Sequence, residues 1–246
     1  MPATPAWPPS SLPRLYVTAP LGEGAAVELD ASQANYLGNV LRMREGSELL
    51  LFDRRSGEWL ARVAKAERKR MMLTVERKTR EAEAVPDVWL AFAPVKRSQT
   101  DWLVEKATEL GAARLVPVTT ARTVVERVRL ERLQAIAVEA AEQCGRTRLP
   151  EIDEPVTLKR LLEQAGQRTL YFADESGGEP AASAFKAGPA TILTGPEGGF
   201  TADERAAIRA APNAVAISLG PRILRAETAA LAALAAYMAI AGDWRG

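Results

Sequence analysis

The sequence predicts an α/β protein, a small antiparallel β-barrel followed by a larger domain built on a parallel sheet. Three observations carry this reading. Residues 14–80 hold short β-prone runs separated by Gly-containing turns, the pattern of a small barrel. Beyond residue 86, apolar strand-like runs alternate with helical stretches. Two of those later runs end in Gly- and Pro-rich loops that lead directly into helices, which marks the carboxyl end of a parallel sheet, where ligands collect.

Taken in order, residues 1–13 are Pro-rich, with neither a basic start nor an apolar core. They are expected to form a disordered extension and not a secretory signal. Strands are expected at 14–17, 26–29, 48–52, 58–67 and 71–77, with turns at Gly22-Glu23-Gly24, Glu45-Gly46 and Ser56-Gly57. One helical stretch, 32–43, interrupts them, with Leu37, Val40 and Leu41 at helical spacing. Residues 80–86 lack periodicity and read as a linker, so the domain expectation is 14–80 and 86–246. In the second domain strands are expected at 88–93, 114–118, 169–173, 190–194 and 214–219. A helix over 100–110 ends at Gly111, a natural C′ residue. Leu130, Leu133, Ile136, Ala140 and Cys144 stripe another helix, which makes Cys144 a small core residue. Thr201-Ala202-Asp203-Glu204 is a capping box.

With 47% apolar and 26% charged residues, the chain has the composition of an ordinary globular protein. No run approaches the ~20 apolar residues of a membrane span, so no membrane partner is expected. The chain has one cysteine and no histidine. An internal disulfide is excluded and a reducing, cytoplasmic setting fits; any metal site would need carboxylates alone, and none is expected. Residues 1–80 carry 13 Lys and Arg against 9 Asp and Glu, a modestly basic front half suited to a polyanion. Its densest basic cluster is Arg62, Lys65, Arg68, Lys69 and Arg70.

The two Gly/Pro loops, Gly195-Pro196-Glu197-Gly198-Gly199 and Leu219-Gly220-Pro221-Arg222, can bring main chain close to a planar ligand. Neither fits a phosphate-binding fingerprint, so the expected ligand is not held by its phosphates. These loops, with Arg14-Leu15-Tyr16-Val17, Val40-Leu41-Arg42-Met43, Lys106-Ala107-Thr108-Glu109-Leu110-Gly111, Glu142-Gln143-Cys144-Gly145-Arg146 and Leu224-Arg225-Ala226-Glu227-Thr228-Ala229, make the chain resemble the SPOUT methyltransferases. Within that class it is most similar to the bacterial 16S ribosomal RNA uridine-N3 methyltransferase family. The resemblance covers about 215 residues and leaves out 1–13. It departs at Tyr36, where family members often carry histidine.

The resemblance implies a SPOUT α/β-knot methyltransferase domain, with a deep trefoil knot at about 190–241, preceded by a PUA-like RNA-binding β-barrel. It also implies S-adenosylmethionine as cofactor, a homodimer packed through knot-side helices, and 16S rRNA of the small ribosomal subunit as substrate. Carried onto this chain, the cofactor residues are Thr194, Gly195, Glu197, Gly198, Ile217, Leu219, Gly220 and Leu224. Arg225 is the preferred catalytic residue, stabilising a uridine anion, with tying loops together or binding phosphate as its alternatives. Glu227 orients Arg225 or serves as base; Glu197, another carboxylate or water are the other bases open. Arg14, Arg42, Gln143 and Arg146 are the RNA-contact candidates. Two further readings stand beside this one: the same chemistry on another RNA such as tRNA, and a non-catalytic ribosome-associated RNA-binding factor.

Overall fold

The computed structural model describes residues 12–67, 70–125 and 127–245. Most of the expected extension at 1–13, and Arg68 and Lys69 of the basic cluster, lie outside the described residues. The chain divides into two compact units, residues 1–84 with 141–148, and residues 85–140 with 149–246.

The first unit contains β1 (Arg14–Tyr16), β2 (Ala26–Glu28), α1 (Ala31–Asn35), β3 (Glu48–Phe52), β4 (Glu58–Ala66) and β5 (Met71–Arg80). They form a five-stranded sheet in the order β1-β3-β4-β5-β2, antiparallel except where β1 runs alongside β3. Alternation sets the core: Leu49 and Leu51 of β3, Ala61 and Val63 of β4, and Leu73 and Val75 of β5 are all buried, as period-2 side-chain placement requires. Register shifts at Glu58/Trp59, Leu60/Ala61 and Val63/Lys65 bend β4 against β5.

The helical stretch expected at 32–43 is shorter and partly of another type. Asp30 caps it by accepting from the Gln33 amide at 2.8 Å, but after Asn35 the chain widens into a π-helical turn, Tyr36–Val40. Gly38 and Asn39 are weak α-formers, and the turn buries Leu37 while leaving Tyr36, Val40 and Leu41 exposed. Arg42 then takes a left-handed conformation, φ 56°.

Arg14 organises this unit. Its Nε donates to Glu58 Oε2 at 2.8 Å, and its two Nη groups donate to the carbonyls of Ala141 (2.6 Å), Glu142 (3.1 Å) and Arg146 (2.8 Å). Its guanidinium also lies 4.6 Å from the centre of the Phe52 ring. Two of those carbonyls belong to the last turn of α3 (Leu130–Cys144), where helix oxygens lack intrahelical partners and a cation is favourable. Arg146 is buried too, its Nε 3.3 Å from Glu83. Arg14 and Arg146, both expected to meet RNA, are therefore committed to internal partners.

The second unit begins with β6 (Val88–Phe92), α2 (Arg97–Glu109), β7 (Arg114–Thr119) and the body of α3. It continues through β8 (Glu151–Ile152), β9 (Val156–Thr157), α4 (Leu158–Gln164), β10 (Thr169–Ala173), β11 (Glu179–Pro180) and α5 (Ala181–Ala184), and ends with β12 (Ala190–Thr194), α6 (Ala202–Ala210), β13 (Ala214–Ser218) and α7 (Ala226–Ile240). The strand order is β11-β13-β10-β12-β6-β7-β8, with β9 beside the far end of β7, and the described pairs are parallel. Such a sheet is covered on both faces. Val88, Leu90 and Phe92 of β6, with Ala190 and Ile192 of β12, point to a core shared with α2, α3, α5 and α7. Ala91, Leu193, Leu170 and Phe172 point the other way, toward α4 and α6. Leu231, Leu234 and Met238 anchor the Ala-rich α7 in the first of these cores; full burial of a side chain such as Leu234 contributes roughly 1.5–3 kcal/mol.

At the amino edge of this sheet the cations are paired. Arg168 donates to both carboxylate oxygens of Asp87 at 2.7 and 2.9 Å, and Arg114 pairs with Glu151 and Asp153. The Trp89 ring lies 4.0 Å from the Arg168 guanidinium and 4.5 Å from that of Arg114. The hydrogen bond from Arg168 holds the Asp87 carboxyl below its ordinary range.

Arg14→Ala is expected to lower the unfolding free energy by about 3 kcal/mol, because it leaves Glu58 buried with a weakened charge partner and the end of α3 uncapped. Arg14→Lys should recover only part of this, since an ammonium cannot span the same set of acceptors. Urea denaturation checks both; wild-type stability of Arg14→Ala would refute the structural role.

Candidate active site

In the second unit, consecutive strands β12 and β13 lie on opposite sides of β10. Strands that diverge in this way leave a crevice at their carboxyl ends. Here the crevice is a cavity of about 690 Å³, walled by the loops that follow β10, β12 and β13.

The loop after β10 is fixed by Asp174, whose side chain is 1% exposed. It accepts from the amide and hydroxyl of Ser176 at 2.9 and 2.7 Å and from Arg209 at 2.7 Å, with Arg205 Nε at 3.3 Å. Burial pushes this carboxyl up, but Ser176, Arg209 and Arg205 outweigh it and hold Asp174 below the ordinary range.

The loop after β12 turns between Pro196 and Gly199, whose amide donates to the Pro196 carbonyl at 2.8 Å. It is gripped from three directions. Phe200 packs against Gly195, where an added Cβ would stand 3.2 Å from the ring. Arg122, in the segment after β7, donates to the Gly198 carbonyl. Glu175 lies against Gly199, which has φ 66°; an added Cβ there would sit 2.7 Å from Glu175 Oε1.

The expected capping box closes the loop. Thr201 Oγ1 accepts from the Glu204 amide at 3.1 Å, and Glu204 Oε2 accepts from the Thr201 amide at 2.9 Å. Glu204 does more than cap, because its Oε1 accepts from the Ala121 amide at 2.7 Å. The neighbouring Arg205 reaches Glu175 at 3.1 Å.

The loop after β13 runs through Gly220, at φ 107°, to Arg225, the N-cap residue of α7. Ile223 on this loop is 92% exposed. Among the described residues neither Arg222 nor Arg225 has an ion-pair or side-chain hydrogen-bond partner.

Thr194, Gly195, Glu197, Ile217, Leu219, Gly220, Leu224 and Arg225 all line this one cavity. Gly198 does not; it faces Arg122. Glu227 is also outside the lining, buried in the first turn of α7, and no ion pair joins it to Arg225 among the described residues. Positions i and i+2 of a helix do not share a face, whereas Ala229, four residues after Arg225, does line the cavity. The sequence reading missed the β10 loop, Phe200, Arg205 and Arg222. The Asp174-Glu175-Ser176-Gly177-Gly178 run after a strand was the available signal for the first. The expected RNA contacts Arg42 and Gln143 are exposed in the first unit.

The residues fit a compact nucleoside cofactor. Ile217, Leu219 and Leu224 give apolar walls, Gly195 and Gly220 bare backbone, and Glu197 an exposed carboxylate without an ion-pair partner among the described residues. Among the described residues no group of three or more His, Cys, Asp or Glu gathers for a metal, and no helix is long and apolar enough to cross a membrane. Burial pushes the Cys144 thiol up, which makes it a poor nucleophile.

A parallel sheet with a loop-walled cavity at its carboxyl ends, in a chain that also carries a small β-sheet unit, defines a two-unit α/β protein with a ligand-binding site on its larger unit. Residues 81–238 match the RNA methyltransferase domain family and residues 29–76 the RNA methyltransferase PUA domain family. The chain belongs to the ribosomal RNA small subunit methyltransferase E family. It is 31% identical to that enzyme of Rickettsia conorii, covering 90% of this chain and 93% of the relative. It is 36% identical to that of Synechocystis, covering 88% and 74%. The crystal structure of the Neisseria gonorrhoeae enzyme bound to S-adenosyl methionine matches with a TM-score of 0.88 at 28% identity, over 95% of this chain and 99% of that one.

Gly199→Ala is expected to weaken S-adenosylmethionine binding roughly ten-fold. A β-carbon at positive φ costs about 1–2 kcal/mol and displaces Glu175 from the loop. Isothermal titration calorimetry checks this, and an unchanged Kd would contradict the grip assigned to Gly199.

Proposed function

We propose that the protein transfers a methyl group from S-adenosylmethionine to N3 of a uridine in 16S rRNA of the small ribosomal subunit. The observation that carries this is Arg225, a guanidinium without a side-chain partner among the described residues, on the wall of a backbone-lined cavity, in a chain of this family. The cofactor, when bound, supplies an electrophilic methyl group on a sulfonium.

The chain's part is to bind, orient and deprotonate. Thr194, Gly195, Gly220 and Leu224 offer the cofactor backbone and apolar contacts. Uridine N3 carries a proton at neutral pH and lies on the pairing edge, so the target base enters the cavity unpaired. Arg225, donating to a uridine carbonyl oxygen, stabilises the anion that forms as N3 loses its proton; one such preorganised donor contributes about 3 kcal/mol. Glu197, an exposed carboxylate on the cavity wall, is the proposed acceptor of that proton. Glu227, outside the lining, is not. Arg42 and Gln143 are the proposed RNA contacts of the first unit.

The same reading includes a homodimer, a deep trefoil knot over 190–241 and a cytoplasmic setting. Partly buried alanines on α7, Ala232 and Ala235, support the dimer, and a sedimentation mass of one chain would remove it. The passage from β12 across β10 to β13 supports the knot.

Incubation of small-subunit particles lacking the modification with protein and S-adenosylmethionine, followed by nucleoside mass spectrometry, tests the proposal. Wild type is expected to form N3-methyluridine, and Arg225→Ala to form it about 10²-fold more slowly. No product from wild-type protein that binds the cofactor would sink the assignment.

A further inference from the structure

Parallel pairing brings the loops after β6, β7, β12 and β13 to one edge of the sheet, and the cations of the second unit are distributed unevenly about it. Lys96 and Arg97 stand at the start of α2, Arg127 and Arg129 just before α3, and Arg222 on the cavity wall. All are exposed, and among the described residues none has an acidic partner. Elsewhere the unit's cations are mostly paired, as Arg114, Arg132, Arg168, Arg205 and Arg209 show. Away from the carboxyl edge only Arg160, Lys186 and Arg245 lack an acidic partner among the described residues.

Two sets of interactions link the segments that carry these cations. Arg132 in the first turn of α3 pairs with Asp101 on α2 at 2.6 Å, which sets the start of α3, with Arg129, beside the start of α2, with Lys96 and Arg97. Earlier in the same segment, Arg122 donates to the Gly198 carbonyl and the Ala121 amide to Glu204, joining the segment after β7 to the loop after β12 and the start of α6. Cations at helix N-termini oppose the helix dipole, and unpaired side chains that face water are free to meet phosphates.

We propose that Lys96, Arg97, Arg127 and Arg129 form an RNA-phosphate track on the methyltransferase unit itself, leading a single strand to the cavity mouth beside Arg222. The proposal deepens the RNA methyltransferase reading and rests on it. It adds, to the contacts proposed for the first unit, a second phosphate-binding surface at the carboxyl edge of the parallel sheet.

The test is fluorescence anisotropy of a labelled single-stranded oligouridine with the full chain over a potassium chloride series, using Lys96→Ala/Arg97→Ala, Arg127→Ala/Arg129→Ala and the control Arg160→Ala/Lys186→Ala. Removing one cation that neutralises a phosphate flattens the slope of log Kd against log salt by about 0.7 for a single strand. Each rim pair is therefore expected to lower the slope by up to about 1.4 and to weaken binding several-fold at low salt, with S-adenosylmethionine binding unchanged. Arg127→Lys/Arg129→Lys should restore the slope, and the control pair should leave it at the wild-type value. Wild-type slopes in both rim variants, an equal loss in the control, or no RNA binding by wild type would each overturn the track. Rim-dependent RNA binding without N3-methyluridine formation would instead count against the uridine target alone.

Discussion

The site depends on two adjacent residues in the first turn of α6. Glu204 completes the capping box with Thr201 and, through its other oxygen, takes the Ala121 amide; Arg205 pairs with Glu175 and Asp174. One helical turn thereby joins the segments that follow β7, β10 and β12. Charge-assisted bonds of this kind are stronger than neutral ones, and they act on a loop whose glycines would otherwise sample many conformations. A preorganised loop spares the binding of a small cofactor the entropy of ordering it.

The parallel sheet supplies the other half of the arrangement. Because β10 separates β12 from β13, the two Gly/Pro loops approach each other across a gap the width of a strand. The cavity is a consequence of strand order, and the side chains that line it need only be compatible with a ligand there. The two edges of the sheet differ accordingly. At the amino edge Arg168, Asp87, Trp89 and Arg114 are consumed by one another, while at the carboxyl edge Arg222 and Arg225 stay uncommitted among the described residues.

Much of this was legible in the sequence. The expected strands of both units begin where their apolar runs begin, because period-2 alternation and continuous apolar runs report directly on burial, whereas the two-residue strands β8, β9 and β11 are too short to carry such a signal. Gly and Pro at 195–199 and 220–221 marked the cavity loops for a local reason, since backbone geometry constrains residue type there. What was not legible is non-local. Nothing near Arg14 announces that its guanidinium closes the end of a helix more than a hundred residues away. The helical phase that turns Glu227 away from Arg225 depends on where α7 begins, and cap positions are the least certain part of any sequence reading. The β10 loop joins the wall only because strand order places β10 between β12 and β13. Its Asp174 takes its role from Arg205 and Arg209, some thirty residues distant.

Central to all of this is that the loops after β12 and β13, which wall one cavity, act as a unit in the proposed binding of the cofactor. Hydrogen–deuterium exchange with and without S-adenosylmethionine tests that unity most directly. Slowed exchange is expected to be confined to peptides covering residues 194–200 and 217–225, with a smaller effect at 174–177. Protection that spares these loops, or that falls mainly on residues 14–80, would contradict it.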